Sequence, residues 1–312
     1  MKKFLFVSLM VSLLAFASFG CKPDNAATNA GSKPAVQTSQ KAFAEITDSE
    51  KRNVVLTKKP ERVVVMVPSI LNYVDAVGGT IIGRPSSSKA FTIPPSMEKV
   101  VGLKPDLVFI NAAQYQKFIK MLETNNINAI TLQPKTYEET KEALVITGKV
   151  YGKSAEAEKL NKTMDDKIAA TIAKMPKDHK KRIVILHATP STVTVELENS
   201  IAGNAAKMLG FVNIAQGTTA IQGKPEKAPY SIEVLVEKDP EIIFITSMGA
   251  QDKIEKRLKA DVQGNPAYSA LTAVKNNKVF ILPEDLFLTP PGLRYPDAVE
   301  LMAKHVFPEN FK

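Results

Sequence analysis

The chain of 312 residues contains no tryptophan, a single cysteine and three histidines. The lone cysteine, Cys21, cannot form an internal disulfide and supplies no redox pair. His179, His187 and His305 fall in a lysine-rich turn, at the end of an apolar strand and in the last helix. They do not gather with carboxylates as a dedicated zinc or manganese receptor requires. The GxSxG nucleophile elbow, the CxxC pair and the GxGxxG dinucleotide fingerprint are all missing, so a hydrolase, thiol-redox or dinucleotide enzyme has no motif to stand on. Lys and Arg outnumber Asp and Glu by 41 to 32, a net charge of +9. The basic residues form no stripe interleaved with aromatics, which argues against a nucleic-acid partner.

What is present is a repeat. Ser96 to Ile110 (SMEKVVGLKPDLVFI) and Ser231 to Ile245 (SIEVLVEKDPEIIFI) align without a gap. Each copy predicts a capping serine, a short helix with Glu98 or Glu233 near its positive end, a proline stop and a buried strand. A second correspondence precedes it: the apolar strands that open with Arg62 and Arg182 run into Pro68-Ser69 and Pro190-Ser191. Two copies of one unit predict two lobes with a cleft between them. In open parallel sheets ligands sit at the carboxyl ends of strands. Those ends are Asn111 to Tyr115 in the first copy and Thr246 to Gly249 in the second.

The N-terminus carries Lys2 and Lys3, an apolar run from Phe4 to Phe19, and Gly20-Cys21. This is the layout of a secretory signal over 1–20 with cleavage and lipidation at Cys21; ordinary cleavage leaving a free thiol is the alternative. Loss of the signal removes two lysines, taking the charge from +9 to +7. Residues 21–42 are rich in Ala, Asn, Ser, Thr, Lys and Pro and read as a flexible tether spanning roughly 25 Å. The N-terminal lobe is assigned to 43–137, an inter-lobe helix or closely joined helix pair to 138–176, and the C-terminal lobe to 177–312. Strands are expected at Val63–Val67, Thr80–Gly83, Ala129–Leu132, Arg182–Leu186, Val193–Leu197 and Val279–Leu282, and helices at Ile70–Val77, Ala202–Leu209 and Pro296–His305. Their alternation predicts α/β lobes with parallel sheets.

Together with ERVVVMVPS at the first strand, LKPDLV, AVKNNKVFIL and the terminal PPGLRYPDAVELMAKHVFPENF, these features resemble the substrate-binding lipoproteins of ABC importers for iron-siderophore, haem and cobalamin. The resemblance covers nearly all of Glu61 to Phe311. It implies the class III periplasmic-binding-protein architecture: two Rossmann-like lobes with central parallel sheets, joined by one long helix, and a ligand cleft between them. It implies a non-enzymatic, monomeric receptor with no cofactor of its own. Its partners would be permease and ATPase subunits, the membrane through the N-terminal lipid, and a small-molecule chelate. The PSSSKAF segment and the ELENSIAG stretch look most like haem-binding members, so the expected cargo is a haem-like molecule or a ferric chelate such as a siderophore. A corrinoid is the alternative within the same fold. A lipoprotein enzyme acting on the captured chelate and a surface adhesin or sensor are the readings from other classes.

The resemblance also directs attention to particular side chains. Met248 stands where haem binders place a histidine, and Ile93 near an expected methionine. Met248, His187 and Tyr115 are the candidate metal ligands, each with an alternative as pocket lining or structural residue. Tyr137, Tyr230 and Tyr295 are candidates for ligation or stacking, again weighed against packing. Arg84, Lys89 and Arg294 are candidate partners for an anionic chelate, with Lys89 matching a lysine that looks pocket-facing in haem-binding relatives; Arg294 has the alternative of pairing with Asp297. Ser69, Ser86, Ser87, Ser88, Asn111 and Thr189 complete the set as polar groups of the strand-end loops. Family members commonly offer an acidic residue on each lobe to the permease. Asn72 and Lys207 stand at the matching places here, so docking is expected to involve a different partner surface or neighbours such as Asp75.

Overall fold

The computed structural model describes residues 42–84 and 96–312. The signal segment, Cys21, the tether through 41, Ser86, Ser87, Ser88, Lys89 and Ile93 lie outside the described residues, as do the side chains of 112–115, including that of Tyr115.

The first lobe opens with an antiparallel hairpin of β1 (Ala44–Thr47) and β2 (Asn53–Leu56). A parallel sheet follows in the order β3 (Val63–Val65), β4 (Leu107–Ile110), β5 (Asn128–Thr131). Helices α1 (Pro68–Ala76), α2 (Met97–Gly102) and α3 (Ala112–Thr124) connect these strands. The strand expected at Thr80–Gly83 is reduced to one bridge, Gly83 to Val64.

Between the lobes the closely joined helix pair is the form adopted. α4 (Tyr137–Tyr151) stops at Gly152, whose φ of 66° is the left-handed geometry that glycine takes without strain. α5 (Ser154–Lys174) then turns back along α4, so that Asp165 lies 2.8 Å from the Tyr137 hydroxyl and 3.3 Å from Lys141.

The second lobe holds β6 (Arg182–Ala188), β7 (Val193–Glu196), β8 (Val212–Asn213), β9 (Lys227–Pro229), β10 (Ile242–Ser247) and β11 (Val279–Ile281), with the sheet order β11-β10-β6-β7-β9 and β8 beside β6. β11, β10, β6 and β8 run parallel, as expected. β7 runs against them, paired antiparallel with β6 on one side and with β9 on the other. The physical reason is loop length: the turn from Ala188 to Val193 is far too short for the crossover that a parallel neighbour needs. Helices α6 (Ile201–Met208), α7 (Ile232–Lys238), α8 (Gln251–Leu258), α9 (Pro266–Ser269), α10 (Thr272–Lys275), α11 (Glu284–Phe287) and α12 (Tyr295–Val306) surround this sheet. One apolar core runs from Val65 and Tyr73 in the first lobe through Leu144 and Ile168 of the helix pair to Phe244 and Met302 in the second.

The repeat reaches further than the aligned letters. Ser96 and Ser231 cap α2 and α7 by accepting the Lys99 and Val234 N–H groups. Both helices end on a left-handed residue before the proline, Lys104 (φ 48°) and Asp239 (φ 37°). A residue before proline is disfavoured in the right-handed helical region, so the chain must leave the helix there. Asp106 after the first proline accepts the Arg62 N–H at 3.0 Å, and Glu241 after the second accepts the Arg182 N–H at 3.0 Å. The guanidinium groups of Arg62 and Arg182 donate to carbonyls at the ends of the paired helices, Leu103 at 2.7 Å and Lys238 at 3.0 Å. The two arginines that open the strands and the two acids that follow the prolines are therefore one duplicated clasp.

Candidate functional site

The carboxyl ends of the parallel strands carry most of the expected polar residues. In the first lobe Ser69 sits half-buried in the opening turn of α1, directly after β3. Asn111 follows β4 and stands at the N-cap of α3, yet its side chain makes no capping bond and its buried Oδ1 has no hydrogen-bond partner. Arg84 is exposed at the edge of the sheet.

In the second lobe the loops after β6 and β10 meet. The Met248 N–H donates to the Ala188 carbonyl at 3.1 Å. A Cβ on Gly249 would lie 2.9 Å from the Pro190 ring, so this approach admits only glycine. Met248 is 51% exposed beside Thr189. The Thr189 hydroxyl is already engaged locally, accepting the Thr192 N–H at 3.0 Å and contacting the Thr192 carbonyl at 3.1 Å.

His187 lies beneath these loops, 2% exposed. Thr246 Oγ1 donates to Glu196 Oε1 at 2.5 Å, and His187 Nδ1 is 2.9 Å from Thr246 Oγ1 and 3.3 Å from Glu196 Oε1. Since the Thr246 proton goes to the carboxylate, the network assigns Nδ1 as the donor to Thr246 Oγ1. Nε2, Glu196 Oε2 and Thr194 Oγ1 are buried without hydrogen-bond partners. Such a relay fixes the tautomer and orientation of an imidazole, which serves a structural histidine and a ligating one equally. Beside it Lys227 pairs with Glu196 in the β7–β9 register. Burial pushes its ammonium below the usual lysine range, against the pull of Glu196 and Glu226.

Three expectations are corrected. Tyr295 is 0% exposed, and its hydroxyl is bonded to Asn204 Oδ1 at 2.8 Å, so it belongs to the core rather than to a ligand surface. Tyr137 is buried likewise and donates to Asp165. Both open helices that pack at the lobe junction, which is where their apolar rings are needed. Arg294 takes its structural alternative: it bonds Asp285 at 2.8 Å and Asp297 at 3.3 Å, which hold its guanidinium above the usual arginine range. Tyr230 is half-buried, and burial pushes its phenol up to about 12, away from phenolate at neutral pH. Asn72 and Asp75 are exposed on α1, and Lys207 is exposed on α6 with Glu198 2.6 Å away.

Sequence reasoning named Thr246 only as the start of a strand end and passed over Glu196, Lys135, Asn204 and Glu226. Glu196 had one legible signal, a carboxylate placed in register within the apolar strand Val193–Glu196. The others had none. Among the described residues no group of three or more His, Cys, Asp and Glu could hold a metal ion, and no helix is long and apolar enough to cross a membrane.

Two α/β lobes that share one core through a helix pair, with divergent loops at the strand ends, define a bilobal binding protein. Residues 94–286 match the family described as periplasmic binding protein, and the chain belongs to that family. It is similar to the Fe(3+)-citrate-binding protein YfmC of Bacillus subtilis (strain 168), at 25% identity over 277 residues that cover 82% of this chain and 84% of that one. It is similar also to the high-affinity heme uptake system protein IsdE of Staphylococcus aureus (strain Newman), at 26% identity over 250 residues, 73% of this chain and 81% of that one. Among solved structures, an ABC transporter substrate-binding protein from Listeria monocytogenes EGD-e shares the fold with a TM-score of 0.68 at 24% identity, covering 80% of this chain and 100% of that one.

Proposed function

We propose that this protein is the extracytoplasmic receptor of an ABC importer and that it captures an iron chelate bearing carboxylates, of the haem or ferric-citrate kind, between its lobes. The observation that carries the reading is the duplicated unit with unlike loops at its strand ends, in a chain whose similar relatives are named for Fe(3+)-citrate and heme. Such a cargo gains affinity from apolar area removed from water, while a few basic and hydroxyl groups orient its carboxylates. Ser69, Arg84 and Asn111 on the first lobe and Thr189, Met248 and His187 on the second are the described residues proposed to take part, with Ser88, Lys89 and Tyr115 beside them in the sequence-derived set. Lipid on Cys21 would hold the receptor at the outer face of the membrane, and the permease and ATPase would receive and drive the cargo.

Calorimetric titration of the mature chain with haemin and with ferric citrate tests this. Saturable binding of one of them is expected, accompanied for haemin by a shifted Soret band; no heat with either and an unmoved Soret band would overturn the proposal. Arg84→Ala is expected to weaken binding by about tenfold, the loss of one charge-assisted hydrogen bond. Cys21→Ser should move the protein from the membrane to the soluble fraction, and unchanged membrane retention would sink the lipid anchor.

A further inference from the structure

The junction between the lobes converges on one oxygen atom. Asn204 Oδ1, on α6 of the second lobe, accepts the Tyr137 backbone N–H at 2.9 Å and the Tyr295 hydroxyl at 2.8 Å. Tyr137 is the first residue of α4, and the opening N–H groups of a helix have no partner inside it. The local caps serve its neighbours: Thr136 Oγ1 accepts the Glu139 N–H, and the Glu139 carboxylate accepts the N–H groups of Lys135 and Thr136 at 2.8 and 2.9 Å. The Tyr137 amide is left over, and a side chain of the opposite lobe takes it.

The second donor comes from the C-terminal helix. The Tyr295 ring packs against Tyr137 with centroids 5.3 Å apart, and its hydroxyl also lies 3.4 Å from the carbonyls of Lys135 and Ile201. Burial pushes this phenol well above its ordinary range, so it remains a neutral donor. Next to it Lys135, just beyond β5, pairs with Glu226 of the second lobe at 3.3 Å. Asn204 thus joins the exit of the first lobe, a helix of the second and the last helix of the chain.

We propose that Asn204 is the positioning residue of this junction: by capping α4 from the opposite lobe it fixes the angle between the lobes, and through that angle the lifetime of a bound ligand. The first half stands on the junction alone, and the second rests on the receptor reading above. Removing the acceptor strands the Tyr137 N–H and leaves the Tyr295 hydroxyl only the two carbonyls at 3.4 Å, and a small opening of the junction that admits water is the cheapest relief. An aspartate at the same place keeps the acceptor and adds negative charge at the positive end of α4.

Hydrogen exchange on the mature chain tests the first half in Asn204→Leu, Asn204→Asp and Asn204→Ala, the last giving water room where the leucine does not fold. The Tyr137 amide should exchange about tenfold faster in the leucine and alanine variants and at the wild-type rate in the aspartate variant. The strand amides of Val108 and Ile243 should keep their protection in all three. A Tyr137 amide that stays protected without the acceptor overturns the proposal, as does parallel loss at Val108 and Ile243 or an aspartate variant that behaves like leucine. For the second half, stopped-flow dissociation of haemin or ferric citrate should quicken by about tenfold in the leucine and alanine variants and not in the aspartate variant. Unchanged dissociation removes that half. A wild-type protein that binds neither probe also removes it, while the exchange result still decides the role of Asn204 in the junction.

Discussion

Asp48 is the side chain on which the first lobe depends most visibly. It is 1% exposed and accepts the Arg52 guanidinium at 2.7 and 3.0 Å together with the N–H groups of Glu50, Arg52 and Thr131. Burial alone would raise its pKa, but the hydrogen bonds from Thr131 and Arg52 outweigh it and hold the carboxyl below its ordinary 3.8. The sign follows directly. The folded state binds this proton less readily than the unfolded chain, so the stabilisation is complete above about pH 5 and is lost as pH falls through the lowered folded-state value. Asp48→Asn is expected to cost about 2 to 4 kcal/mol at pH 7 and to flatten the acid limb of the stability profile, read by urea denaturation from pH 3 to pH 7. Little of this was legible beforehand, because Asp48 and Thr131 are 83 residues apart and only the packing of the β1–β2 hairpin on β5 brings them together. The same limit applied to Tyr295, 91 residues from its partner Asn204, whereas the pairing of Arg294 with Asp297 was already open in the sequence. Their types suited a ligand surface, and their neighbours Asn204, Asp285 and Asp297 decided otherwise.

At the scale of elements, local chemistry was readable and pairing was not. The serine caps, the acidic first turns and the proline stops of α2 and α7 stand where the repeat predicted them. The clasp between Arg62 and Asp106 and its copy between Arg182 and Glu241 supply a quantitative test of the duplication. Asp106→Ala and Glu241→Ala should each cost about 1 kcal/mol, and the double variant should cost their sum because the two clasps lie in different lobes. Unequal losses, or strong coupling in a double-mutant cycle, would contradict equivalence of the two units. Gly152→Ala should destabilise by about 1 to 2 kcal/mol in the same assay, since alanine has to enter the left-handed region at the bend between α4 and α5. That bend was the one point where the helical stretch from Tyr137 onward left two forms open. A glycine permits a turn, and only the contacts of Asp165 with Tyr137 and Lys141 show that the turn is taken. The reversed direction of β7 went unseen for a related reason, since strand type follows from periodicity while strand direction follows from the length and course of a connection.

For the whole molecule, a duplicated unit, the approximate place of the strands β3 to β7, β10 and β11, and the family could be argued from linear order alone, while β1, β2, β8 and β9 could not. Hydrophobic runs, prolines and caps act through neighbours a few residues away, and a duplicated pattern of them predicts a duplicated unit whatever the rest of the chain does. The candidate site was legible only to the extent that it lies at strand ends: Ser69, Asn111, Thr189 and Met248 are positioned by the turn that follows each strand. Which protein partners the polar groups around them already hold was decided by the tertiary structure. It directs the Thr189 hydroxyl into its own turn, buries His187 in a relay with Thr246 and Glu196, and encloses Tyr295 at a junction held by Asn204. The last two depend on polar atoms finding partners 50 or more residues away, and a buried polar group must find one or incur its desolvation penalty. Linear order determined the strands and helices of the duplicated unit, which act through near neighbours; the pairing of buried polar groups, settled only when the chain closes on one core, decided which polar atoms hold a partner and which do not.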